Sequence, residues 1–241
     1  MRVRNDESCA RSNYLWSSSD SPAALRSRDL QQTANEGGAK IEPAVGLVQA
    51  YLRLNGFFTV TEYPVMGIGQ HGAYSLTDVD LLAVRFPNAQ QWIGGKGHRG
   101  FGLENDPILE IEPHCIQMVI GEVKEGKPRL NENAITPRVI ETVIRRFGCC
   151  EENPRDVAQR VVSHGRANTH VGVQECRIRM VVFAGGDPEP APATYDVIGL
   201  RHIVEYLNDF VHRHSDVFLS SQIKDESFDM MALLVKLGVR I

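Results

Sequence analysis

Acidic residues and a lysine interrupt two apolar segments of the sequence, where they could carry out chemistry. Asp78 and Asp80 lie in the segment DVDLLAVRF, and Glu122 and Lys124 lie at the end of the segment IQMVIGEVK. Residues two apart on a strand point to the same face, so we expect Asp78 to share a face with Asp80, and Glu122 with Lys124. Charged groups at the ends of apolar strands are costly to bury unless they pair or bind a metal ion.

These residue types fit a reaction that depends on magnesium. Carboxylate oxygens suit Mg²⁺, which keeps several waters and needs only one or two carboxylates. The ion can lower the pKa of an attacking water and stabilise the charge on a phosphate, and a nearby lysine can orient that water. The pattern therefore favours hydrolysis of a phosphate ester with Mg²⁺, or Mn²⁺ as an alternative ion. A salt-bridged trio at the strand ends is the alternative role for Asp80, Glu122 and Lys124.

The two segments resemble the PD-(D/E)XK, or restriction-endonuclease-like, nuclease superfamily. The matching stretches are TDVDLLAVR around Asp80 and IGEVKEGK around Glu122. In that superfamily a strand aspartate is followed by Glu-x-Lys on the next strand, and a preceding helix often contributes a glutamate. The resemblance implies that Asp80 and Glu122 are metal ligands together with the backbone carbonyl of Val123. It also implies that Lys124 is the catalytic lysine.

The same resemblance makes Glu42, at the start of the first predicted helix, a fourth catalytic candidate. The alternative for Glu42 is a helix N-terminal acid favoured by the helix dipole. Asp78 is either a further ligand candidate or a residue that closes the turn formed by the preceding residues. The gap between Asp80 and Glu122 is longer than the hairpin of compact superfamily members. An insertion at about 87–113 must therefore leave the sheet and return to it.

The elements that position these residues follow the order helix, three strands, helices, strand and helices. Pro43 begins a helix with a broad apolar face, which ends at Asn55-Gly56. Segments rich in β-branched and aromatic residues predict the strands, and Gly67-Ile68-Gly69 predicts a turn after the first one. The predicted helices are 43–54, 137–147, 153–163, 200–212 and 228–237, and the predicted strands are 57–63, 78–86, 116–124 and 177–183.

This order predicts an α/β fold with a restriction-endonuclease-like αβββαβ core, in which helices flank a small central mixed sheet, followed by C-terminal helices. Residues 1–38 contain few apolar anchors and many helix and strand breakers, which predicts a disordered or loosely packed tail. Residues 39–241 are expected to form the nuclease-like domain with its insertion and its C-terminal helical extension. The polar stretch that contains His164, Arg166 and His170 is predicted to be a loop.

Four cations near the motif are candidate nucleic-acid contacts. Lys96 and Arg99 lie in a glycine-rich segment of the insertion, and Lys127 and Arg129 follow shortly after Lys124. The glycine-rich segment lacks the residue order of a nucleotide-binding P-loop, so it is either a backbone contact or a plain loop. Lys127 and Arg129 are either phosphate contacts or ordinary surface cations.

Composition limits the class of protein. The chain has 241 residues and a formal net charge of −4, so no global basic field indicates nucleic-acid binding by charge alone. Its five cysteines include no CxxC pair, which argues against a zinc site and favours reduced thiols. No segment approaches the ~18 apolar residues of a membrane span, and no signal-peptide pattern is present. We therefore expect a cytoplasmic protein without membrane contact.

Together these features predict a metal-dependent endonuclease that hydrolyses phosphodiester bonds, with DNA as the expected polymer. No recognisable sequence-reading module is present, which favours a weakly specific nuclease or the nuclease subunit of a defence or repair assembly. A protein partner or a homo-oligomer is compatible with this role. The alternatives are a catalytically inactive scaffold or nucleic-acid-binding module of the same fold, and an effector that a partner switches on.

Overall fold

The elements of the fold are seen in a computed structural model, which describes residues 42–70, 72–90, 92–93, 101–148, 150–186, 194–218 and 225–239. These ranges belong to a unit that spans residues 41–241. The predicted tail at residues 1–38 lies outside the described residues. The candidate contacts Lys96 and Arg99 lie outside them as well.

Groups of helices and groups of strands follow one another along the described part of the chain. The helices are α1 (Pro43–Leu54), α2 (Pro137–Phe147), α3 (Pro154–His164), α4 (Leu200–Arg213), α5 (Ser215–Phe218) and α6 (Glu226–Lys236). The strands are β1 (Phe58–Gly69), β2 (Gly72–Arg85), β3 (Trp92–Ile93), β4 (Phe101–Gly102), β5 (Ile116–Lys124), β6 (Arg166–Val171), β7 (Gln174–Ala184) and β8 (Asp196–Gly199). None of the described helices is both long and apolar enough to cross a membrane.

A mixed sheet of six strands forms the centre of the fold, in the order β1-β2-β5-β7-β6, with β8 also paired to β7. The β5–β7 and β7–β8 pairs are parallel, and the other pairs of this sheet are antiparallel. β2 pairs directly with β5, so the predicted insertion leaves and rejoins the sheet without separating these two strands. The predicted mixed α/β architecture with flanking helices is confirmed.

Two hydrophobic cores cover the two faces of the sheet, as the alternation of buried residues along β5 shows. Val119 and Val123 join the core formed with α1, α4 and α6. Met118 and Ile120 join the core formed with α2 and α3. Successive strand residues point to opposite faces, so each core lies on its own face of β5. This double coverage explains why the segment is apolar almost throughout.

Local capping signals fix the ends of α2 and α3. Thr136 and Asn153 are the N-caps, and each side chain accepts a hydrogen bond from a backbone N–H of the first turn. Pro137 occupies the first position of α2, where its missing N–H is not needed. Gly148 and Gly165 end the two helices with φ near 70°, the left-handed conformation that favours glycine.

The β1–β2 hairpin is longer than the sequence predicts. The turn predicted at Gly67-Ile68-Gly69 is wrong, because β1 continues through these residues and the chain reverses between Gly69 and Gly72. Pro64 is tolerated within β1 because this strand pairs only with β2 in the described part of the sheet. Glycine at 67 also leaves room for the Tyr74 ring, since a Cβ there would lie 3.1 Å from Tyr74 Cζ.

The predicted loop around His164, Arg166 and His170 is also wrong. β6 begins at Arg166 and runs antiparallel to β7. Buried Ala167 and Thr169 alternate with exposed residues along β6, which is the pattern of a strand with one solvated face. The polar composition of the exposed face hides this alternation in the sequence. β8 is likewise missing from the prediction, because its four residues are too short for a periodic pattern.

Candidate active site

Three carboxylates form a row across β1, β2 and β5. The β2–β5 ladder ends at the pair Leu81 and Gly121, so the next position sets Asp80 opposite Glu122. The register of β1 and β2 sets Glu62 opposite Asp80. The row lies at the edge of the sheet where β5 ends. The structure therefore brings two predicted metal ligands together and adds Glu62, which the sequence analysis missed.

The side chain of Asp80 closes the β2–β5 ladder. The backbone N–H of Val123 donates to Asp80 Oδ2 at 2.7 Å. The N–H and C=O of a strand residue point to the same neighbouring strand, so the carbonyl of Val123 also faces β2. Asp80 is half-buried, which leaves part of its carboxylate accessible. Two of the three predicted metal ligands, Asp80 and Val123, are thus in direct contact.

An ion pair joins the other two motif residues. Lys124 Nζ lies 2.5 Å from Glu122 Oε1, where the Lys124 side chain is 38% exposed and that of Glu122 is 6% exposed. Burial raises the pKa of Glu122, the hydrogen bond from Lys124 opposes this rise, and the charge of Asp80 adds to it. Burial alone would lower the pKa of Lys124, but its hydrogen bond to Glu122 and the nearby carboxylates raise it overall. Lys124 is therefore protonated at neutral pH.

Glu62, which belongs to the row, and Glu42 extend the acidic region towards solvent. Burial raises the pKa of Glu62, and the charges of Asp80, Glu42 and Asp78 raise it further. Glu42 is exposed at the start of α1, makes no capping hydrogen bond through its side chain, and acts electrostatically on Lys124. It therefore does not fill the N-cap role through a hydrogen bond. Together, Glu42, Glu62, Asp80 and Glu122 form the carboxylate cluster.

Regular alternation along β2 breaks at Asp80. Val79 packs in the core with α2 and α3, whereas Leu81 packs in the core with α1, α4 and α6. The expectation that Asp78 and Asp80 share a face depends on regular alternation, so the spacing does not support it here. Asp78 is exposed, and Ser75 Oγ lies 3.5 Å from its Oδ1. The turn-closing alternative for Asp78 is wrong, because residues 75–77 belong to β2 and Asp78 itself pairs with Pro64.

The oxygen donors fit a hard divalent cation. Across the described ranges, no group of three or more His, Cys, Asp or Glu side chains lies close enough together to hold a metal ion. Mg²⁺ needs fewer, because it is often bound through one or two carboxylates while waters and substrate phosphates complete its octahedron. Asp80 and Glu122 supply two carboxylates, and Val123 supplies a carbonyl oxygen that faces β2. The residues present therefore fit Mg²⁺.

Backbone contacts with the end of β7 hold the loop that follows Lys124. The N–H of Gly185 donates to the Lys124 carbonyl at 2.9 Å, and the N–H of Gly186 donates to the Gly126 carbonyl at 2.9 Å. A Cβ built on Gly185 would overlap the carbonyl oxygen of Glu125. Glycine at 185 is therefore required for this close approach. The approach fixes the end of β5, where the ion pair lies.

Only part of the predicted nucleic-acid contacts can be placed. Lys127 and Arg129 are exposed in the loop after β5, within five residues of Lys124. Their position next to the end of β5 agrees with a role in phosphate contact, although an exposed cation needs no such role. Lys96 and Arg99 belong to the part of the insertion outside the described residues.

We expect Glu62→Gln to raise the free energy of unfolding at pH 7. The pKa of Glu62 is raised above its ordinary value of 4.5, so the unfolded chain releases this proton first as the pH rises, which destabilises the fold. Glutamine removes that penalty. The gain should be about 0.5 kcal/mol or less, because Glu62 is exposed and solvent screens its charge. Urea unfolding at several pH values measures it.

The gain should shrink as the pH falls below 4.5, where Glu62 becomes protonated in the folded and in the unfolded state. Glu132→Gln, an equivalent change at an exposed position before α2, is the matched control and should have a smaller effect. A Glu62→Gln variant that is less stable than the parent chain at pH 7 would show that the like charges do not interact as described.

Comparison with models of protein families, with curated proteins and with solved structures found no match to this chain. The inference of function therefore depends on the sequence motif and on the geometry of the carboxylate cluster with Lys124.

Proposed function

We propose that this chain is a metal-dependent endonuclease of the PD-(D/E)XK type, which hydrolyses phosphodiester bonds with DNA as the expected substrate. The observation that carries this proposal is the contact of Asp80 with Val123 beside the ion pair of Glu122 and Lys124. It sets two carboxylates and an ammonium group close together on the neighbouring strands β2 and β5. A cytoplasmic location, with a protein partner or as a homo-oligomer, belongs to the same proposal.

The topology supports the restriction-endonuclease-like part of the proposal. The chain forms α1, then the antiparallel strands β1, β2 and β5, and then the helices α2 and α3. It continues to β7, which runs parallel to β5. This is the αβββαβ order that the resemblance implies, with β6 and β8 as additions on the far side of β7. Asp80 lies within the second strand of that order and Glu122 near the end of the third, which agrees with the aspartate and Glu-x-Lys pattern of the superfamily.

Asp80 and Glu122 would hold Mg²⁺ or Mn²⁺ together with the carbonyl of Val123. When bound, such an ion would supply an activated water and stabilise negative charge on the phosphate. The ion pair with Lys124 holds the buried carboxylate of Glu122, and the hydrogen bond from Val123 orients Asp80. Both ligands are therefore held in place before any substrate arrives.

The raised pKa of Lys124 favours an ammonium that orients water and binds phosphoryl oxygen over an amine that removes a proton. A separate group must then accept the proton of the attacking water. Glu42 is the candidate, because it is exposed and its charge acts on Lys124. Glu62 adds negative charge near Asp80 and so increases the attraction for a cation.

A panel of polymers tests the proposal. Purified chain is incubated with plasmid, linear duplex DNA, single-stranded DNA and RNA, in Mg²⁺, in Mn²⁺ and in EDTA. We expect cleavage of DNA that requires a divalent ion and that is lost in Glu122→Gln. If no polymer is cut in either metal, the proposal is wrong.

A catalytically inactive scaffold or nucleic-acid-binding module is the second candidate. It is favoured by the ion pair itself, since Lys124 satisfies the buried Glu122 without any metal ion. This role predicts that the chain binds nucleic acid or a partner without turnover, and that Glu122→Gln leaves binding unchanged. Turnover that depends on metal separates the two candidates.

We expect Gly185→Ala to lower the rate of cleavage by about 10-fold to 100-fold, because a small displacement of catalytic groups has effects of that order. The added Cβ would push against the Glu125 carbonyl and move the end of β5. Gly126→Ala is the matched control, because no heavy atom lies within 4 Å of a Cβ there. Equal rates for the two variants, measured beside their melting temperatures, would show that this contact does not position Lys124.

A further inference from the structure

The β1–β2 hairpin continues past the carboxylate cluster as a two-stranded ribbon, defined here as residues 63–69 and 72–78. β5 pairs with β2 only along Leu81–Arg85, whereas β1 and β2 remain paired out to Gly69 and Gly72. Each strand of the ribbon therefore contributes seven residues beyond the row of carboxylates. At about 3.3 Å per residue the ribbon projects roughly 23 Å. Its base packs on the core with α2 and α3.

The charge along the ribbon differs from that of the carboxylate cluster. The ribbon contains no Lys, Arg or Glu, and Asp78 at its base is its one acidic residue. Two cations of α2 lie beside it. Arg138 Nη2 lies 3.3 Å from the position of a Cβ on Gly67, and Arg146 Cζ lies 6.0 Å from the centre of the Tyr63 ring. Both arginines are exposed, and among the described residues neither forms a salt bridge.

The ribbon exposes uncharged side chains. The ring of Tyr74 covers Gly67 and Gly69 and is partly exposed next to Arg138. Met66 and Ile68 are exposed as well, and the solvent reaches 83% of Ile68. The ribbon is thus an uncharged surface with cations on its flank. This arrangement complements a nucleic acid, because its backbone is anionic and its base edges are uncharged.

We propose that the ribbon inserts into a groove of duplex DNA while Arg138 and Arg146 bind backbone phosphates. The major groove of B-DNA admits a two-stranded β-ribbon, and apolar side chains can contact thymine methyl groups there. The major groove of duplex RNA is too deep and narrow for side chains to read, and a single strand has no groove. The inference rests on the proposed function and deepens it, because it names duplex DNA as the substrate that the ribbon guides to the carboxylate cluster.

Binding in EDTA tests the inference separately from cleavage. Fluorescence anisotropy of labelled DNA duplex, single-stranded DNA and RNA duplex gives the affinity of the full chain for each. We expect the duplex DNA to bind most tightly, and the double variant Arg138→Ala with Arg146→Ala to bind it at least about 10-fold more weakly. The slope of log K against log salt should fall by about two, one for each phosphate contact.

The matched control is the double variant Arg201→Ala with Arg213→Ala on α4, which removes the same charge elsewhere and should keep the affinity within about twofold. Circular dichroism and melting confirm that both variants are folded. The inference is overturned if the two double variants bind alike, if duplex DNA is not preferred, or if the ribbon variant alters only the oligomeric state measured by light scattering.

Failure of the ribbon inference is distinguishable from failure of the proposed function. Metal-dependent cleavage that Glu122→Gln abolishes, combined with unchanged binding by the ribbon variant, refutes the ribbon inference alone. Cleavage that Glu122→Gln leaves intact refutes the proposed function, while the binding measurement still decides the role of Arg138 and Arg146.

Discussion

Replacing Lys124 by methionine lowers the rate of metal-dependent cleavage by about 10³-fold and leaves the chain folded, according to the proposed mechanism. Methionine keeps much of the side-chain volume but removes the ammonium that lies 2.5 Å from Glu122 Oε1. The transition state then loses the positive charge that orients water and binds phosphoryl oxygen. Glu122 also loses its cation, so the pKa of its buried carboxyl rises further.

The single-turnover rate on plasmid DNA, with melting as a check on folding, measures this effect. Lys236→Met, the same change at the exposed end of α6, is the matched control and should keep the rate within about twofold. Lys124→Arg should recover part of the rate, because it restores the charge with a different shape. A rate for Lys124→Met within about 10-fold of the parent chain would mean that this lysine is structural.

Asp106→Ala is expected to lower the free energy of unfolding by about 3–5 kcal/mol. Asp106 is buried, and its Oδ2 accepts a hydrogen bond from Tyr51 Oη at 2.8 Å and lies 2.6 Å from His202 Nε2. Its Oδ1 accepts from the N–H of Ile108 at 3.1 Å, and its own N–H donates to Asn55 Oδ1 at 2.7 Å. Alanine would leave the hydroxyl of the fully buried Tyr51 without its acceptor, which carries a large penalty.

This network connects the insertion to α1 and α4. Its loss should therefore destabilise the insertion more than the central sheet. Urea unfolding measures the global effect, and hydrogen exchange measures the insertion. Glu104→Ala removes an exposed carboxylate two residues away and should change the stability by about 0.5 kcal/mol or less. A loss below about 1 kcal/mol for Asp106→Ala would show that water replaces the carboxylate and that the network is not an anchor.

Elements with local signals were predictable from the sequence. The bounds of β5 and α2 match the structure to the residue, because an apolar run marks the strand while Pro137 and Gly148 mark the helix ends. The proximity of Glu122 and Lys124 follows from their spacing on one strand. Each of these features depends on residues that are neighbours in the sequence.

Glu62 was not predictable, because its place in the cluster depends on the register of the hairpin. A turn centred on Ile68 would pair Glu62 with a residue near Tyr74, whereas the observed turn sets it opposite Asp80. Gly67 and Gly69 lie within β1 against the ring of Tyr74, but two glycines this close together in a sequence predict a turn. A shift in register changes every cross-strand partner, so one misplaced turn removed Glu62 from the predicted site.

Contacts between segments that are far apart in the chain could not be predicted from the sequence either. Tyr51 and Asp106 are 55 residues apart, and no periodicity or motif connects them. The hydrogen bond between Asp80 and Val123 spans 43 residues and the whole insertion. The superfamily resemblance was the only indication that these two strands are neighbours, and the β2–β5 pairing agrees with it.

The rate of DNA cleavage in Mg²⁺ by Asp80→Asn, compared with Asp78→Asn, tests the central claim most directly. Asparagine at position 80 can still accept the hydrogen bond from Val123, so the substitution removes the charge and keeps the contact. We predict cleavage by the parent chain, a loss of at least about 10²-fold in Asp80→Asn, and little change in Asp78→Asn. Equal cleavage by Asp80→Asn and the parent chain, or no cleavage by the parent chain at all, would contradict a metal-dependent nuclease centred on Asp80, Glu122 and Lys124.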